Sequence, residues 1–391
     1  VQRSWVRSGA YLVTIVFFGL ALLGVAGRAA APPGTHREGA VATAGYMYPL
    51  YLLLPRPRVT GFYENTASTP GGVGSYHSFV VHGRTVNVVA PRWYAIGPAG
   101  NVARDMSDGA VTLAAMRDHV AVMPLVTNLG SNFLTSPGAR AAAVRSLVRI
   151  ASKSGYRGVY LDFELLPANA RPGMTALVQE LHLRLHAAGR QLGVAVFPKV
   201  GLQGTLADAY NYAALAKSSD QVALMTYDHH YDGGAPGPVA PFAWVDANVL
   251  YALRYVPRGH LYMGLAFYGY DWGSPSGGSA TTLSQPEAYA LAKAHGVPVQ
   301  YDPASGEGHF TYQAAGSTHV VWFETPRSIA EKSSLARRYG VGGVAIWRLG
   351  FEAPGTWTTM MKAVKTGRTP PLPTGAQMAA SGGVLTGGPA A

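Results

Sequence analysis

Short apolar runs alternate along the chain with stretches in which apolar residues recur at three- and four-residue steps. Eight runs read as strands: Val59–Tyr63, Val86–Ala90, Val120–Val126, Gly158–Glu164, Leu192–Phe197, Gln221–Tyr227, Leu261–Phe267 and Gly343–Trp347. Most are β-branched or Leu-rich on both faces, the pattern of strands covered on both sides in a parallel sheet. Helical stripes fill the gaps. Residues 139–152 place apolar side chains at 144, 147, 148 and 151, and residues 174–188 place Leu177, Leu181 and Leu185 at four-residue steps. Eight strand–helix units predict an α/β fold, a (β/α)8 barrel, over residues 58–365. Residues 270–325 break the rhythm. They are rich in Gly, Ser, Tyr and Trp with short alternating segments, and predict a small α+β insertion between the seventh and eighth strands.

The two ends read differently. Arg3 and Arg7 precede an apolar run from Ala10 to Ala26, so residues 1–31 are expected to be a signal peptide or a membrane anchor. Residues 32–57 read as a linker. Residues 366–391, rich in Thr, Pro, Gly and Ala, read as a disordered tail. The barrel is therefore expected outside the cytoplasmic membrane, secreted or anchored through its N-terminal segment.

Composition narrows the chemistry. The 391 residues include no Cys, which excludes disulfides, thiol nucleophiles and Cys-ligated metals. Lys and Arg number 31 against 20 Asp and Glu, a formal charge of +11 that suits an anionic partner such as an acidic cell wall. The basic residues form no run interleaved with aromatics, which argues against nucleic acid. No Walker loop, nucleophile elbow or well-placed dinucleotide fingerprint is present, and no cofactor is expected.

Barrel enzymes work at the C-terminal ends of their strands. The fourth strand reads Gly158-Val-Tyr-Leu-Asp-Phe-Glu164, and its period of two puts Tyr160, Asp162 and Glu164 on one face. Two carboxyl groups confined together repel, so one keeps its proton near neutral pH, as an acid for glycosidic cleavage must. A salt bridge to Arg157 or Arg348 is the structural alternative. The run Asp228-His229-His230-Tyr231-Asp232 offers metal-ligand types, but adjacent histidines seldom reach one ion, and no metal site is expected. Glu64, after the first strand, is expected to bind sugar or cap a loop. Tyr63, Trp93, Tyr94, Tyr268, Tyr270, Trp272 and Trp322 lie near strand ends or in the insertion and divide between sugar stacking and core.

The segment GYRGVYLDFE, residues 155–164, resembles the signature of glycoside hydrolase family 18, usually Asp-Gly-x-Asp-x-Asp-x-Glu. Met225-Thr-Tyr-Asp228, Leu265 through Trp272, and Gly342 through Gly350 resemble the same family in order and spacing, in its bacterial cell-wall, spore-cortex and chitinase-like branch. The resemblance implies a retaining mechanism in which the sugar's own 2-acetamido group attacks. It implies Glu164 as the acid, Asp162 orienting the acetamide and Tyr227 bonding its carbonyl. Asp228 and Trp347 would contact the sugar, with Tyr63, Tyr160, Tyr268 and Asn128 as further binding residues. The expected partner is an N-acetylated polysaccharide. Arg157 and Tyr160 replace two acidic residues of the usual signature. The third strand ends Pro124-Leu-Val-Thr-Asn128 without the Ser-x-Gly-Gly of many chitinases, which favours peptidoglycan or cortex glycan over chitin. The replaced acids also leave open a non-catalytic glycan-binding barrel.

Overall fold

The computed structural model describes residues 55–64, 74–104, 109–201 and 206–369. The N-terminal targeting segment, nearly all of the linker and the tail from 370 lie outside the described residues. No helix among those described is long and apolar enough to cross a membrane.

Eight parallel strands close into a barrel: Arg58–Tyr63, Val88–Ile96, a third in two pieces (Ala121–Val122 and Leu125–Asn128), Gly158–Asp162, Gln191–Val196, Gln221–Leu224, Leu261–Ala266 and Gly343–Trp347. Each pairs in parallel with the next, and the first pairs with both the second and the eighth, so no edge remains. Helices line the outside. The helix Pro137–Lys153 begins at Ser136, whose side chain accepts from the Ala139 N–H, and buries Ala143, Val144, Leu147 and Ala151. The helix Arg171–Ala187 buries Met174, Leu177, Val178, Leu181 and Leu185.

Several strand bounds depart from the expected ones. The third is interrupted at Met123-Pro124, because proline has no N–H for the ladder; the Pro124 carbonyl still accepts from the Tyr160 N–H at 2.9 Å. The second runs on through Pro91 to Ile96, with a register shift between Arg92 and Tyr94 against the third. The fourth ends at Asp162 and the sixth at Leu224, two and three residues short, so Glu164 and Tyr227 sit on the loops that follow.

Alternation on the fourth strand is as the pattern requires. Tyr160 turns inward, its ring 5.4 Å from Phe62 of the non-adjacent first strand, a contact that can only cross the barrel interior. Gly193 on the neighbouring fifth strand makes this possible, since a Cβ there would stand 2.3 Å from the Tyr160 ring. Phe163 turns outward onto Phe133 of an outer helix.

Between the seventh and eighth strands the chain builds a five-stranded antiparallel sheet and the helix Gln285–Ala294. That sheet carries its own small core of Ala288, Ala292, Val299, Phe310, Tyr312, Val321 and Phe323. It is pinned to the barrel by a buried ionic group. Glu307 accepts from the Val239 and Ala240 N–H groups at 2.8 and 2.6 Å, on the loop after the sixth strand. Lys332, on the helix Pro326–Tyr339, binds Glu307 at 3.2 Å and also Glu324. All three side chains are excluded from water, and burial pushes the Glu324 carboxyl up to about 8.

Removing Lys332 would leave Glu307 and Glu324 buried without the cation they share. Lys332→Ala is expected to destabilise the fold by about 3–5 kcal/mol, read from urea unfolding midpoints at pH 7.

Candidate active site

At the C-terminal end of the barrel, Phe62, Asp162, Glu164, Ala195, Tyr227, Asp228, Tyr268 and Trp347 line an open cavity of about 200 Å³. Asp162 is the last residue of its strand and is buried. Its Oδ1 has no hydrogen-bond partner among the described residues. Burial, then the charge of Glu64, raises its carboxyl to about 7, opposed by Arg92. Glu64 and Arg92 are themselves paired at 2.6 Å.

Glu164 lies two residues beyond, where the chain turns away, and the next residue, Leu165, takes a left-handed φ of 53°. Three hydrogen bonds hold this turn. Asn128 at the end of the third strand accepts from the Glu164 N–H at 2.9 Å and donates to the Glu164 carbonyl at 3.1 Å. The buried Tyr210 hydroxyl donates to the Phe163 carbonyl. The backbone is therefore fixed on both sides of the peptide that carries the carboxyl group. The side chain is open to solvent through the mouth, yet protein walls surround it. Their desolvation, joined by the charges of Asp162 and Asp228, lifts its carboxyl well above the ordinary range. No ion pair to Glu164 exists among the described residues. Arg157 binds Gln191 at the other end of the strand, and Arg348 donates to Ser75 and lies over the Phe351 ring.

Asp228 follows the sixth strand with a left-handed φ of 58°. Its Oδ1 accepts from the Tyr268 and Tyr270 hydroxyls at 2.5 and 2.9 Å, which partly offset the upward push of burial on its carboxyl. Burial pushes the Tyr227 phenol up, keeping its proton at neutral pH, and its hydroxyl has no protein partner among the described residues. Trp347 ends the eighth strand with its ring 5.6 Å from Phe62.

The cavity thus gathers Asp162, Glu164, Tyr227, Asp228, Tyr268 and Trp347. Three other expected contacts stand elsewhere. Tyr160 is fully buried below the cavity. Tyr63 lies on the opposite face of its strand from Phe62, which takes the place in the lining, as a period of two dictates. Asn128 grips the Glu164 backbone. Trp93, Tyr94 and Trp272 are core, and Trp322 stacks on His309. The His-rich run divides: His229 packs on Trp244, His230 bonds the Ala235 carbonyl and Asp232 accepts from the Ala280 N–H. Tyr210 carried no signal, since it lies in an irregular stretch. Tyr270, named among the aromatics divided between sugar stacking and core, binds Asp228 instead.

A carboxyl group pushed toward its protonated form beside further acids and an aromatic wall, at the strand ends of a (β/α)8 barrel, is an arrangement that suits glycosidic cleavage. The profile described as "Glycosyl hydrolases family 18" matches residues 112–352, and the chain belongs to that family. It is 31% identical over 254 residues to a cortical fragment-lytic enzyme of Bacillus subtilis, a match covering 61% of this chain and 59% of that protein. The chain thus spans about three fifths of that relative's length. A chitinase structure from Chromobacterium violaceum superposes with a TM-score of 0.73 at 29% identity, covering 80% of this chain and 98% of that one. The spore cortex-lytic enzyme SleL of Bacillus megaterium gives 0.70 at 25% identity, over 79% and 74%.

Two outcomes follow. Asn128→Ala frees the Glu164 peptide, and kcat is expected to fall about 10- to 100-fold with KM little changed, measured on a soluble oligosaccharide that the wild type cleaves. The Asp162 carboxyl, raised from 3.8 to about 7, leaves the unfolded chain with fewer bound protons between those values, so stability falls as pH rises across that window. Asp162→Asn is expected to flatten this fall in thermal midpoints taken from pH 4 to 7.

Proposed function

We propose that this glycosidase cleaves β-linked N-acetylglucosamine glycans with retention, using the substrate's 2-acetamido group as the nucleophile. The observation that carries the reading is the buried Asp162 Oδ1, unpartnered among the described residues, in the same cavity as the Tyr227 phenol and the Glu164 carboxyl group. A buried acceptor without a donor is costly, and an amide N–H from the sugar would satisfy it. The Tyr227 hydroxyl would donate to the amide oxygen and fix it beneath the anomeric carbon. Glu164 would give its proton to the leaving glycosidic oxygen as the acetamide oxygen bonds to that carbon. The resulting cyclic cation would be balanced by Asp162, and Glu164, now a base, would take a proton from the water that opens the ring. Trp347 offers an apolar face for the pyranose.

Peptidoglycan or spore-cortex glycan fits better than crystalline chitin. The net charge of +11 suits an anionic wall, and the relatives include cortex-lytic enzymes. The apolar N-terminal run supports action outside the cytoplasmic membrane, released or held there by that segment.

Glu164→Gln keeps the shape and removes the proton. It is expected to lower kcat about 1,000-fold on peptidoglycan, cortex glycan or N-acetylated oligomers, with the thermal midpoint retained. Mass analysis of wild-type digests should show chains ending in N-acetylglucosamine. Chains ending in muramic acid would contradict the subsite assignment, and binding without cleavage by the wild type would make this a glycan-binding barrel.

A further inference from the structure

A second cluster of titratable groups lies at the opposite end of the barrel. His182 and His186 are four residues apart near the C-terminus of the helix Arg171–Ala187, so they share a face. Their rings stand 3.9 Å apart, centroid to centroid. Asp220, immediately before the sixth strand, faces them, its two carboxylate oxygens 3.1 and 3.0 Å from His186 Nε2. One potential ligand atom from each of the three residues lies within 4.8 Å of the other two. Asp220 is firmly placed: its Oδ2 accepts from the Leu192 N–H and its own N–H donates to the Leu192 carbonyl, both at 2.8 Å.

An ion pair between His186 and Asp220 accounts for only two of these groups. It leaves the buried His182 Nδ1 without a partner among the described residues. Two neutral imidazoles and a carboxylate, however, are the donors a zinc-class cation prefers. Tetrahedral coordination at about 2.0–2.2 Å sets ligand atoms roughly 3.3–3.5 Å apart, a small side-chain rotation from the present spacing. The negative end of the helix dipole favours a cation here, and the solvent-facing His186 leaves a way in.

We propose that His182, His186 and Asp220 bind one divalent cation of the zinc class, which ties the outer helix to the base of the fifth and sixth strands. Being at the base of the barrel, the ion acts on stability and takes no part in hydrolysis.

The test uses the full, untagged chain, stripped with a chelator and titrated with zinc chloride. One zinc per chain should bind, and the thermal midpoint should rise by roughly 4 °C or more at saturation. His186→Gln and Asp220→Asn should each lose that zinc-dependent rise. Because Asp220→Asn also disturbs the Leu192 contact, the increment on adding zinc is compared, not the starting midpoint. Glycan turnover should be the same with zinc or chelator. No zinc-dependent rise in the wild type, an equal rise in all three proteins, or turnover that requires zinc would overturn the proposal.

Discussion

The carboxyl groups of Asp162, Glu164 and Asp228 share one small cavity, and their mutual repulsion, added to desolvation, has to be borne by the barrel beneath them. The fold meets this in three different ways. Asp162 is carried on a strand buried on both sides, with the Glu64–Arg92 pair close enough to modulate its charge. Asp228 is compensated by two tyrosine hydroxyls. Glu164 has no charge partner among the described residues. Only its backbone is held, by Asn128 from the third strand and Tyr210 from the segment after the fifth. Rigid backbone and a side chain without an ion pair among the described residues leave a carboxyl group pushed toward its protonated form and facing the cavity.

The insertion belongs to this arrangement as much as the barrel does. Tyr268 and Tyr270 come from its first strand, so the partners of Asp228 are supplied from outside the eight-stranded core. Glu307, from the same sheet, grips the loop that follows Asp228, and Lys332 anchors Glu307 from an outer helix. A buried ionic group of this kind adds little net stability but strongly penalises any other placement of the loop. The sheet above the barrel thereby fixes the register of one wall of the cavity.

Much of this was legible in the residues. The eight apolar runs named every barrel strand, and the interval from 270 to 325 stood out by its alternation. Asp162 and Glu164 were indicated by strand alternation, and Tyr227, Asp228 and Trp347 by the family resemblance; all five line one cavity. What could not be read was the bending at strand ends. Pro124 splits the third strand, and the left-handed turns at Leu165 and Asp228 take Glu164 and Asp228 out of simple alternation. Tyr63 and Tyr160 stand away from the cavity for other reasons: Tyr63 by the strand's period of two, and Tyr160 by the room left at Gly193, which lets its ring fill the barrel interior. Asn128 was marked for sugar contact, but its backbone grip is a long-range pairing that no local pattern announces. His182 and His186 also share a helix face in the sequence, yet their carboxylate partner is 34 residues on and meets them only in the fold.

The central claim, that Glu164 is an acid kept protonated by enclosure and by its acidic neighbours, can be put directly to carbon-detected NMR titration of the side-chain carboxyl groups. The Glu164 signal is expected to titrate well above the ordinary carboxylate range, and to move back toward it when Asp162 is changed to Asn. A Glu164 midpoint at the usual value of about 4.3, unmoved by that change, would contradict the account.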